Sequence, residues 1–175
     1  MAQSMVHPVA VAIGPVAKAV ELACCAIAIL GGALFIVEAV MSVASVLGRA
    51  LFNLPVPGDY ELVQMLSAMG IAMCLPYCQL KKGHVFVDFF TLWAPAAIKR
   101  FLDAVAALLL SGSAFFLAWR IWEGMLEMRE YGETSMVIAL PVWWGYIPVS
   151  PSFVLLGIAA LQSFVHELAR EGHQS

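Results

Sequence analysis

AKAVELACCAIAILGGALFIVEAVMSVASVL, residues 17–47, is an apolar run that ends at Gly48-Arg49. A helix needs roughly 20 mainly apolar residues to cross the hydrocarbon core of a bilayer. This run is longer, so either tilt or an extension beyond the lipid is expected. It also exceeds the roughly 7–15 apolar residues of a cleavable leader, and only Lys18 flanks it on the amino side, so it reads as a retained first span. Before it, residues 1–15 carry His7-Pro8 and Gly14-Pro15 as breakers and read as a loose tail or a short surface helix.

The remainder of the chain has the same character. Of the 175 residues, 62% are hydrophobic, with a mean hydropathy of +0.90, against about 45–50% apolar in a soluble domain. A domain of ~150 residues leaves about 30% of its unfolded-chain surface exposed. Such an excess cannot be hidden in one small core, and lipid must be the solvent for much of it. Further spans are expected at 60–80, 101–122 and 147–168. The turn around Pro55-Val56-Pro57-Gly58 precedes Asp59, read as the cap of the second span, with Glu61 in its first turn. Pro76 should kink that helix, and Lys81-Lys82-Gly83-His84 closes it. Residues 85–100 mix Phe86, Phe89, Phe90, Leu92 and Trp93 with Asp88, Lys99 and Arg100, and Pro95 breaks them, as in a segment lying in the interface.

The third span is expected to continue as a polar helix, residues 123–131, beyond the membrane. Gly132 ends it, and a loop leads to Pro141-Val142-Trp143-Trp144-Gly145-Tyr146, an aromatic group suited to headgroup level. Pro148 and Pro151 fall in the opening turn of the fourth span. The fold class is therefore an all-α integral membrane protein: one membrane domain, 1–175, with four transmembrane helices plus interfacial amphipathic segments. With the N-terminus inside, inner segments hold Lys18, Lys81, Lys82, Lys99, Arg100 and Arg170, and outer ones hold Arg49, Arg120 and Arg129. This imbalance favours both termini in the cytoplasm.

The net charge of −3 offers no clustered basic face for nucleic acid. Cys24, Cys25, Cys74 and Cys78 lie in apolar runs and read as small packing residues. No metal or cofactor site is expected. Catalytic signatures such as H-E-x-x-H, G-x-S-x-G and a Walker loop are missing from the sequence. His7, His84, His166 and His173 sit at span ends or in tails, whereas haem held between helices needs ligands inside the spans.

Glu38 is the most informative residue, because a carboxylate deep in a span is expensive. At helical spacing it shares a face with Gly31, Ser42, Ser45 and Arg49. Such a small and polar stripe points to a buried contact with another helix or polypeptide; a proton or cation site is the sharper alternative. Met65, Met69 and Met73 read as adaptable packing. Ser67, Gly70, Cys74 and Cys78, and then Ser111-Gly112-Ser113, form small-residue faces. Arg120, Glu123 and Glu127 form an ion cluster that is either solvated or facing a partner.

Five stretches follow one another in order: Gly48-Arg49-Ala50-Leu51-Phe52, Pro57-Gly58-Asp59-Tyr60-Glu61-Leu62, Lys82-Gly83-His84-Val85-Phe86-Val87-Asp88, Gly132-Glu133-Thr134-Ser135 and Leu140-Pro141-Val142-Trp143-Trp144-Gly145-Tyr146. In their order and spacing the chain resembles the DctQ-type family, the small permease subunit of tripartite ATP-independent periplasmic (TRAP) transporters. This resemblance implies a four-span scaffold subunit in the bacterial inner membrane, bound to a large TRAP membrane subunit that houses the substrate and sodium sites. A periplasmic substrate-binding protein would deliver an organic acid such as a dicarboxylate, a sugar acid or sialic acid. By position, Arg49 and Glu61 would tie the outer ends of the first two helices. His84 and Asp88 would fix the turn into the surface helix, with Asp88 as its cap. Glu38 lies outside that pattern.

Two other classes compete. A self-contained small four-helix proton-coupled exporter would use Glu38, but the long connection 81–100 and the extra length speak against it. A membrane anchor of a respiratory enzyme would carry haem or quinone.

Overall fold

A computed structural model of the chain describes residues 15–53, 57–81 and 96–171. It contains four helices: α1 (Pro15–Phe52), α2 (Asp59–Leu80), α3 (Ala96–Tyr131) and α4 (Trp143–Glu171). Each is long and apolar enough to cross a membrane, so the chain is an all-α membrane protein, as the apolar runs require. The 22 residues of α2 extend about 33 Å at 1.5 Å per residue, a close match to a hydrocarbon core of about 30 Å. The 38 residues of α1 reach about 57 Å and overhang that core. The expected interfacial segment lies largely outside the described residues, as do His84 and Asp88. Its last five positions, 96–100, belong to the opening turns of α3.

The helices form a row rather than a ring. α1 packs on α2, α2 on α4, and α4 on α3; α1 touches α4 lightly, and α1 and α3 share no comparable packing among the described residues. The first pair is an antiparallel hairpin joined at both ends, by Lys81–Glu21 at 3.2 Å and Arg49–Asp59 at 3.3 Å. The hydrogen bond to Glu21 pushes the Lys81 ammonium above its ordinary pKa. Midway, a Cβ added at Gly31 would lie 3.0 Å from the Gly70 carbonyl oxygen, and one at Gly70 would lie 2.9 Å from the Phe35 ring. Glycine at position 31 allows this close approach to a backbone oxygen, whereas a side chain at position 70 would have to displace the Phe35 ring.

The second hairpin uses buried hydroxyls. Ser111 Oγ donates to the Gly157 carbonyl at 3.1 Å, and Ser150 Oγ donates to the Ala118 carbonyl at 3.2 Å. Between them Ala107, Ala114, Ala118, Ala159 and Ala160 are buried, so the interface is narrow and small-sided. The two hairpins join where α2 and α4 run parallel, with Met65 packed against Gly145. Met73 is buried in the same molecule, consistent with methionine filling irregular gaps.

One expectation requires correction. Asp59 does not cap α2: Gly58 holds that position in the left-handed region, φ 74°, with Asp59 as the first helical residue. The third helix does continue to Tyr131, as expected, and the loop after it returns to the α2 N-terminus, where Ile138 fills the space against Gly58.

Candidate functional site

The polar residues of the described chain gather at two levels. Where α1 ends and α2 begins, Asp59 is the hub between the two helices. Its Oδ2 accepts from Ser45 Oγ at 2.5 Å and from Arg49 Nη2 at 3.3 Å, while Oδ1 accepts from the Tyr60 N–H at 2.8 Å. Ser45 is buried, so its hydroxyl needs this acceptor; Arg49 is largely exposed and adds little in water. Ser42, one turn deeper on the same face of α1, is half-buried.

Glu61 stands about half a turn along α2 and so faces the other way. Its carboxylate accepts from Ser135 Oγ at 2.6 Å and from the backbone N–H groups of Met136 at 2.9 Å and Val137 at 3.1 Å. The expected Arg49–Glu61 tie is thus replaced by two separate ones: Arg49 with Asp59, and Glu61 with the α3–α4 loop. The loop is shaped for this role. Ser135 N–H bonds to the Leu140 carbonyl at 2.8 Å, and Ala139 adopts a left-handed φ of 52°. Met136, at its tip, is almost fully exposed. Trp143 and Trp144 open α4 beside it in an edge-to-face pair, 6.2 Å between ring centroids. The Arg129 guanidinium lies 5.5 Å over the Trp143 ring, a cation–π geometry.

Glu38 marks the second, deeper level. Ser67 Oγ donates to its Oε1 at 2.7 Å, and its Oε2 is buried without a hydrogen-bond partner. An acid at a helix centre costs roughly 2.5–3.5 kcal/mol on insertion scales, and a hydrogen bond to a charged group returns about 1.5–3 kcal/mol. The Ser67 bond therefore offsets most of the cost but leaves one oxygen unsatisfied. The polar stripe of α1 consequently faces α2 of the same chain: Gly31 meets Gly70, Glu38 meets Ser67, and Ser45 meets Asp59. The stripe thus makes the expected contact with another helix, and that helix belongs to the same chain.

No cluster of three or more histidine, cysteine or acidic residues suited to a metal occurs among the described residues. All four cysteines are free thiols. Arg120 pairs with Glu123 at 2.7 Å on the exposed side of α3. The sequence reading missed Ser135, Met136 and Val137 as partners of Glu61. Two of these bonds use backbone N–H groups, which every residue carries, and so leave no mark in the sequence.

The family described as tripartite ATP-independent periplasmic transporters, DctQ component, matches residues 38–170. The chain is also similar to a sialic acid TRAP transporter permease protein, SiaT, of Haemophilus influenzae (strain 86-028NP). The two are 32% identical over 80 residues, 46% of this chain but only 13% of that protein. No solved structure matches.

Proposed function

The chain belongs to the DctQ component family of tripartite ATP-independent periplasmic transporters, and from this premise we propose that it is a scaffold that holds a larger permease subunit in the inner membrane. The larger subunit carries the solute and sodium sites, and a periplasmic binding protein delivers the solute. The cargo is an organic acid, a class that includes dicarboxylates, sugar acids and sialic acid; the similarity to a sialic acid permease protein supports it. Both termini lie in the cytoplasm, which puts the Glu61-bound loop on the periplasmic side.

One observation carries the scaffold reading: the ionisable groups between α1 and α2 are committed to joining those helices. Glu38 is bonded to Ser67, and Asp59 to Ser45 and Arg49. None of these groups is left displayed in an open cavity where a solute would meet it. The test is reconstitution. Vesicles holding this chain, its large membrane partner and the binding protein should take up a labelled organic acid only with an inward sodium gradient. Vesicles holding this chain alone should take up none.

The exporter reading keeps one specific point in its favour, the unsatisfied Oε2 of Glu38. Solute-driven proton flux through the chain alone, abolished by Glu38→Gln, would establish that reading and remove the scaffold one.

A further inference from the structure

We propose that the side of α3 turned away from α4 is where the larger subunit docks a membrane helix, and that this helix offers a hydrogen-bond acceptor to Arg120 and a donor to Glu123. The inference rests on the subunit reading above and specifies the surface it uses.

Depth comes first. Met65 of α2 is level with Gly145 of α4, and Ser150, five residues deeper, bonds to Ala118 of α3. Ala118 therefore stands beside the Gly70 turn, halfway along Asp59–Leu80. Arg120 lies only about 3 Å outward of that level at 1.5 Å per residue, and Glu123 about one further turn. Measured along α2, Arg120 sits about 13 Å deeper than Asp59. Both charges fall within the length of a helix that itself just spans the core.

Direction comes next. At about 100° per residue, Ser113, Phe116, Arg120, Glu123 and Glu127 line one strip of α3. Ala107, Ser111, Ala114, Ala118 and Met125, the buried positions, lie on the opposite strip. The Arg120 and Glu123 side chains are 61% and 44% exposed. α1 cannot cover them, because it occupies the far edge of the row. Hydrocarbon does not solvate such a pair, and ionisable residues within spans face protein or a watery cavity. About two turns further in from Arg120, a Cβ on Gly112 would meet nothing within 4 Å, which leaves room for another helix to approach closely. The cover that this face requires is polypeptide, polar opposite the ion pair and apolar around it.

The experiment uses the chain co-expressed with the large membrane subunit. A photo-crosslinking residue placed at Phe116 should form an adduct with that subunit, and one placed at Val43 on the exposed face of α1 should not. The double change Arg120→Leu/Glu123→Leu makes the face apolar, so the chain should still insert at an unchanged level while recovery of the larger subunit falls roughly tenfold or more. Unchanged recovery, an adduct from Val43 alone, or an adduct between two copies of this chain would each overturn the assignment while leaving the scaffold reading standing. Failure of the unmodified chain to co-purify with any large subunit would remove both.

Discussion

Ser67 satisfies one oxygen of Glu38 and leaves the other buried without a partner, so the two residues should respond differently to substitution. Ser67→Ala removes the only donor Glu38 has among the described residues and should destabilise the α1–α2 hairpin by about 1–3 kcal/mol. Glu38→Gln keeps an acceptor for Ser67 in a side chain that cannot ionise, so stability should not fall. Tryptophan-fluorescence melting of the purified chain in detergent checks both; a Glu38→Gln protein that melts well below the parent would contradict this account. At this scale the sequence was only partly legible. It marked Glu38, Ser45, Arg49, Asp59 and Glu61 by their polarity in an apolar chain, but not who pairs with whom. That pairing depends on helix register and on the direction each carboxylate faces, and a shift of two residues along one helix exchanges partners.

Along the helices, glycine positions separate crowded faces from open ones. Gly31→Ala would bring a methyl group to 3.0 Å from a backbone oxygen, which cannot swing aside, so the first hairpin should loosen by about 1–3 kcal/mol. Gly112→Ala meets nothing and should be neutral or stabilising by up to about 1 kcal/mol in the isolated chain. Thermal melts of the two variants side by side test the contrast. The loop between α3 and α4 gives a second prediction. Glu61→Ala removes the acceptor of the Ser135 hydroxyl and of the Met136 and Val137 N–H groups, and amide exchange at Met136 and Val137 should accelerate roughly tenfold or more. Exchange rates unchanged in that variant would show that the turn holds its shape without Glu61. Helix existence was easy to read, since run length against bilayer thickness decides it. The register of α3 on α4 was not, because it is fixed by two serine-to-carbonyl bonds, Ser111 with Gly157 and Ser150 with Ala118, and serines in an apolar run do not announce their acceptors.

For the whole molecule, the orientation proposed from the lysine and arginine distribution has a direct check. Met136→Cys should react with a membrane-impermeant maleimide in intact cells, because the loop tip is almost fully exposed on the outer side. A cysteine appended after Ser175 should react only after lysis. Reversal of that pattern would invert the topology without altering the fold. The row order α1, α2, α4, α3 has its own consequence. Four cylinders side by side make a fence, and a fence encloses nothing. A conduit needs a closed circumference, which here would require the first helix to reach the third across the width of the others. The four described helices therefore do not close a conduit by themselves, and an aqueous passage along them would need a further surface to complete its wall.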